Sequence, residues 1–188
     1  MKRIVIFASG SGSNAENLIN FFKNRNTASV VLVLTNNPYA KVLDRCKNLK
    51  VSALSFNKIA FTETSDVLNL LKASKPDMIV LAGFLWKFPD AILNEFPNKV
   101  INIHPALLPK YGGKGMFGMH VHEAVVANNE TTTGITIHYV NEHYDEGAII
   151  FQATYNIKPS DSAEDVAAKI HELEMKHFPE VVEKLLLK

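Results

Sequence analysis

Lys2-Arg3-Ile4-Val5-Ile6-Phe7-Ala8-Ser9-Gly10-Ser11-Gly12-Ser13-Asn14-Ala15 opens the chain with an apolar run followed by small residues, and this order decides the fold. Ile4 to Ala8 are continuously apolar, as a strand buried on both faces requires. The serines and glycines end the run, and from Ala15 to Lys23 the residues Leu18, Ile19 and Phe22 recur at helical spacing. Strand, loop and helix repeat downstream. Val30 to Leu34 read as a strand ended by Asn36-Asn37-Pro38, Tyr39 to Leu49 as a helix, and Val51 to Phe56 as a short strand. Thr62 to Ala73 follow as a helix and Met78 to Ala82 as a buried strand. Such alternation predicts an α/β fold, with a doubly wound, mostly parallel sheet.

The second half changes character. A helix over Asp90 to Phe96 and a strand over Val100 to Ile103 lead into a long loop, Pro105 to Gly118, rich in Gly and Pro. His122 to Asn128 read as a helix, and Thr133 to Val140 and Ala148 to Ile157 as two strands joined by a short loop, an antiparallel extension of one sheet edge. Asp161 with Glu164 three residues on is a capping pattern, and the helix behind it is expected to break at Pro179.

Composition bounds the function. The 188 residues, 47% of them hydrophobic, suit one core, so a single domain over 1–188 is expected. Twenty basic residues against 19 acidic ones give no broad field for nucleic acid. Cys46, the single cysteine, has no internal partner, and the start carries no signal-peptide pattern, so a cytoplasmic protein is expected. No apolar stretch reaches the ~20 residues of a membrane span.

Two groups of residues carry chemistry. Ser9 to Asn14 lie between a strand and a helix N-terminus, where backbone N–H groups and the helix dipole favour a phosphate. With Ala15 the loop also satisfies G-x-G-x-x-A, but the second strand ends in Thr35-Asn36-Asn37, without the acid a dinucleotide ribose needs. In Ile101-Asn102-Ile103-His104-Pro105, Asn102 and His104 alternate along a strand and share a face. Asp145-Glu146-Gly147 follows a later strand and could return a carboxylate to them. A carboxylate beside an imidazole orients it and handles a proton, and an amide donates to an oxyanion, which suits acyl transfer to an amine. No G-x-S-x-G element is present, so direct attack is favoured over an acyl-enzyme. His120-x-His122 is a weaker metal reading without a matching Cys or carboxylate set, and no metal is expected.

Taken together, the SGSGSN loop, LAGFLWKFP (Leu81 to Pro89), INIHPALLPKYGGKG (Ile101 to Gly115) and GITIHYVNEHYDEG (Gly134 to Gly147) resemble the phosphoribosylglycinamide formyltransferases over nearly the whole chain. The resemblance implies a Rossmann-like formyltransferase fold and formyl transfer from 10-formyltetrahydrofolate, as co-substrate, to the amine of glycinamide ribonucleotide in purine biosynthesis. It implies Asn102, His104 and Asp145 as catalytic residues. Gly12, Ser13, Asn14 and Glu174 correspond to ribonucleotide contacts. Leu85, Trp86, Lys87, Phe88, Asn102, Asn141, Glu142, His143, Tyr144 and Asp145 correspond to folate contacts. Partners are then small-molecule substrates, with no nucleic acid and no membrane, and a homodimer is left open.

Three departures from the family pattern stand out. Trp86-Lys87-Phe88 replaces an Arg followed by aliphatic residues, Lys58 is the candidate for an Arg that meets the folate tail, and the loop Gly112 to Met119 is long enough to be a lid. Two rivals remain. A formyltetrahydrofolate hydrolase shares the His and Asp signature but differs in its glycine loop and carries an N-terminal regulatory domain. A non-catalytic nucleotide-binding regulatory module would bind without turnover. A methionyl-tRNA formyltransferase would carry a further C-terminal domain.

Overall fold

A computed structural model describes residues 1–188. One mixed sheet of seven strands runs through the molecule in the order β3-β2-β1-β4-β5-β6-β7. β1 (Lys2–Phe7), β2 (Ala28–Thr35), β3 (Ala53–Ser55), β4 (Met78–Leu81) and β5 (Val100–His104) are mutually parallel, whereas β6 (Thr132–Tyr139) and β7 (Ile149–Asn156) add antiparallel at one edge. The apolar runs explain the arrangement. Ile4 to Phe7 and Met78 to Leu81 are buried on both faces, as central parallel strands must be.

Two apolar layers flank the sheet. One packs α1 (Ser13–Lys23), α2 (Val42–Leu49) and α7 (Ala163–Leu186) on the side chains of Ile4, Ile6 and Val80. The other centres on Phe7, Phe61 and Phe88, under α3 (Lys58–Thr62), α4 (Asp66–Ser74) and α5 (Asp90–Glu95). α6 (Met119–Ala127) packs beside α7. No helix is long and apolar enough to cross a membrane.

Several boundaries differ from the sequence reading, each for a local reason. α2 begins at Val42 because Tyr39 and its neighbours form a turn and the tyrosine ring is 91% exposed. The third strand shrinks to Ala53–Ser55, which stand in register with Val33 to Thr35 of β2. α3 is an unpredicted single turn started by Asn57, whose side chain accepts from the Ala60 N–H at 2.9 Å, so α4 begins later, at Asp66. The cap of α7 is one residue later than expected. Ser162 and Asp165 form the reciprocal box, and Asp161 instead accepts from the Lys158 N–H and the Tyr155 hydroxyl.

Pro179 does not break α7. The helix continues through it to Leu186. Proline has no N–H for the carbonyl four residues back, and that carbonyl, Met175 O, accepts from the Asn17 side chain of α1 at 2.7 Å. The missing donor is supplied from the neighbouring helix, next to Glu174.

Candidate active site

The strand order turns back on itself between β1 and β4, and in doubly wound sheets ligands bind at the C-terminal strand ends beside that point. The two ends are tied together. The Ser9 N–H donates to the Gly83 carbonyl at 3.0 Å, and the Leu85 N–H donates to the Ser9 hydroxyl at 3.0 Å. Above them opens a cleft of about 630 Å³, lined by Gly10 to Asn14, Leu81 to Phe88, Asn102 to Pro105, Gly113 to Gly118 and part of the loop after β6. That volume lies within the usual range for a small-molecule site.

At one end stands the glycine loop. Gly12 has left-handed backbone (φ 73°) and starts α1, and α2 braces it from behind. The Val42 N–H donates to the Gly10 carbonyl at 3.2 Å, and Arg45 donates through Nε to the Ser11 carbonyl at 2.7 Å while pairing with Glu16. Asn14 donates to Glu174 at 2.9 Å across the α1–α7 contact, and its own carbonyl oxygen is buried without a partner. His171, one turn before Glu174, has its pKa raised by that carboxylate.

At the other end four polar side chains converge. Asn102 and His104 share a face of β5, and the antiparallel register sets His138 of β6 opposite Asn102. The loop after β6 then turns back with Asp145 at φ 57°, a conformation that Asp tolerates better than most residues. Asp145 Oδ2 accepts from the Gly113 N–H at 2.9 Å and lies 3.6 Å from His104 Nδ1. Asp145 Oδ1 lies 3.5 Å from His138 Nε2 and accepts from Asn102 Nδ2 at 3.4 Å. Asn102 Nδ2 is also 3.1 Å from His138 Nε2.

The tautomers follow from the carbonyls nearby, which only accept. His104 Nε2 donates to the Tyr111 carbonyl at 2.7 Å, and His138 Nδ1 donates to the Tyr139 carbonyl at 2.9 Å. The nitrogens left for chemistry are therefore His104 Nδ1 and His138 Nε2, both turned toward Asp145. Burial pushes the His104 pKa down against the opposing pull of Asp145 and the Tyr111 carbonyl. Burial pushes Asp145 up, but the neighbouring His138 and His104 rings and the Gly113 N–H together hold it below its ordinary value. An ionised carboxylate beside the unprotonated Nδ1 of a neutral imidazole gives two adjacent proton acceptors, which can take up a proton from a reacting group and pass it between them.

His138 was not singled out from the sequence. Its signal was the Ile135-Thr136-Ile137-His138 alternation, which acquires meaning only once β6 is paired in register with β5. Leu85, Trp86, Lys87 and Phe88 all border the cleft, as do Asn141, His143 and Tyr144. Phe88 does so from the edge of the aromatic layer, only 3% exposed. Glu142 does not border it and lies exposed, 3.7 Å from His143. Lys58 begins α3 and is also absent from the cleft wall, whereas Lys87 is in it. His120 points to solvent and pairs with Glu123 at 3.5 Å.

A family model described as formyl transferase matches residues 2–182. The chain belongs to the formyl transferase family. Among relatives of this formyl transferase, the phosphoribosylglycinamide formyltransferase of Bacillus subtilis is 35% identical over 193 residues, covering 99% of this chain and 95% of the relative. The chloroplastic phosphoribosylglycinamide formyltransferase of Vigna unguiculata is 34% identical, covering 98% of this chain and 61% of that longer protein. The crystal structure of glycinamide ribonucleotide transformylase 1 from Geobacillus kaustophilus superposes with a TM-score of 0.90 at 33% identity, over 99% of both chains.

Proposed function

We propose that the chain, acting as one domain over residues 1–188, transfers the formyl group of 10-formyltetrahydrofolate to the amine of glycinamide ribonucleotide. The products are N-formylglycinamide ribonucleotide and tetrahydrofolate, a cytoplasmic step of de novo purine synthesis toward IMP. One observation carries the reading: a single cleft joins a glycine loop at a helix N-terminus to an Asn102, His104, His138 and Asp145 cluster. A phosphate at the first end leaves room for an amine to reach the second.

In this reading Gly12, Ser13 and Asn14 cradle the phosphate and Glu174 meets the ribonucleotide. Leu85, Trp86, Lys87 and Phe88 receive the folate, with the Asn141 to Asp145 loop facing them. Three cleft-bordering apolar side chains, Leu85, Trp86 and Val140, fit a flat heterocycle, and the Lys87 ammonium suits the carboxylates of the folate tail. The neutral amine attacks the formyl carbon directly. The carbonyl oxygen gains the electron pair, and Asn102 stabilises it by exchanging its long 3.4 Å contact with Asp145 for the oxyanion. His104 Nδ1 and Asp145 relay the proton lost by the amine to the departing folate nitrogen, and the charged imidazole is the second donor to the oxyanion.

The test is to incubate the protein with 10-formyltetrahydrofolate, with and without glycinamide ribonucleotide, and to follow tetrahydrofolate release. Release only with the ribonucleotide is expected. Release without it would make the chain a hydrolase, and none in either case a nucleotide-binding module.

A further inference from the structure

One titratable side chain in the cleft wall has no part in the chemistry above. His122 lies on α6 between two buried valines, Val121 and Val125, and is itself 6% exposed. It borders the cleft, and its Nδ1 is buried with no hydrogen-bond partner. His120, two residues earlier, is turned about 200° away around the helix and is satisfied by Glu123 outside, so the two imidazoles do not converge on one metal ion.

The neighbours of His122 locate it. Burial pushes its pKa below the ordinary histidine value, the Glu174 carboxylate pulls it back up, and the His104 ring pushes it further down. Glu174 belongs to the nucleotide end of the cleft and His104 to the formyl-transfer end. His104, His122 and Glu174 all line the same cleft, so His122 stands in the wall beside a ligand that spans its two ends. A leucine would fill this side of α6 without leaving a buried nitrogen unpaired, which costs stability in the free protein. That cost is offset when a ligand brings the missing partner.

We propose that His122 is the recognition residue for the glycinamide arm of the ribonucleotide, the stretch between the ribose and the reacting amine. The assignment rests on the substrate reading given above. A neutral imidazole offers one N–H donor and one lone pair, and the arm offers the matching amide carbonyl and N–H groups. His122 thereby separates the full substrate from sugar phosphates that would satisfy the glycine loop alone.

The test compares two probes by calorimetry. Glycinamide ribonucleotide carries the arm, and ribose 5-phosphate keeps the phosphate and sugar without it. Wild type is expected to prefer the first. His122→Leu should weaken binding of the ribonucleotide about tenfold, the size of one hydrogen bond, and leave ribose 5-phosphate within about twofold. His122→Asn, which keeps a polar group at the Nδ1 position, should recover most of the loss. Equal weakening of both probes by His122→Leu would reduce His122 to a structural residue, and unchanged discrimination would remove it from recognition, each overturning the assignment while the substrate reading stands. Wild type that binds both probes equally would overturn the substrate reading and the assignment together. Should His122→Leu not fold, His122→Met gives the same comparison with a flexible apolar side chain.

Discussion

A methyl group at position 12 would fall on the side chain of Val42, 2.5 Å from its Cβ, and would have to adopt a φ of +73° that L-residues disfavour. Both penalties act on the loop proposed to hold the phosphate, so Gly12→Ala should raise the ribonucleotide KM by about tenfold or more. Folate affinity, measured separately by calorimetry, should be unchanged, since its proposed contacts lie at Leu85 to Phe88 and Asn141 to Asp145. Equal loss of both affinities would mean that the subsites are not separate. Asn102 lies at the other end of the cleft, and its amide is the donor closest to the Asp145 and His138 pair. Asn102→Ala should lower kcat by about 10²–10³-fold, the usual effect of losing an oxyanion donor, with little change in ribonucleotide affinity. A wild-type kcat would remove Asn102 from the chemistry. Asn102 and His104 could be read from sequence because alternation along one strand is local information. His138 and His122 could not: one gains its meaning from a partner strand 36 residues away, the other from α6, which begins at Met119 rather than at His122.

Helices and strands with strong periodicity were legible, and the misreadings fall where a single side chain overrides the pattern. Asn57 starts a one-turn helix too short to show any period. Pro179 reads as a stop, yet α7 runs on because Asn17 supplies the donor that proline lacks. This predicts a coupling between two residues that are 162 positions apart in the chain. Asn17→Ala should destabilise the protein by about 1–2 kcal/mol by leaving the Met175 carbonyl without its partner. In a Pro179→Ala background the restored N–H reaches that carbonyl, so the same substitution should cost about 1 kcal/mol less. Denaturant unfolding of the four proteins measures the coupling, and strict additivity would refute it. The loop from Gly112 to Met119 borders the cleft, with Phe117 44% exposed and Met119 38% exposed. Ordered over a filled cleft, it would bury these side chains and oppose the entropy of its glycines. Amides from Gly112 to Met119 should therefore exchange fast in the free protein and slow with ribonucleotide and a folate analogue bound. Equal protection in both states would exclude a lid.

With a formal net charge of +1, the whole molecule has little overall repulsion to lose or gain near neutral pH, and its pH dependence is set by a few buried groups. His104 and His122 both have pKa values pushed below the ordinary 6.5 by burial. Between 6.5 and those lowered values the unfolded chain holds more protons than the folded one, so stability falls as the pH drops through this window. His171 works the other way. Its pKa is raised by Glu174, so its contribution is complete below 6.5 and fades as the pH rises through the folded value, but the side chain is 47% exposed and the effect is small. A second loss comes at lower pH. Asp145 and Asp77 are held below their ordinary 3.8, so their stabilisation is present above that value and disappears as pH falls through the folded values. The urea midpoint should therefore be nearly level from about pH 8 to 7, decline from about pH 6.5, and drop again below about pH 4. His122→Leu removes one of the two imidazoles whose pKa burial lowers, and its midpoint should fall less than that of wild type between about pH 7.5 and 5.5. An unchanged wild-type midpoint over that interval would mean that neither imidazole resists protonation in the folded protein.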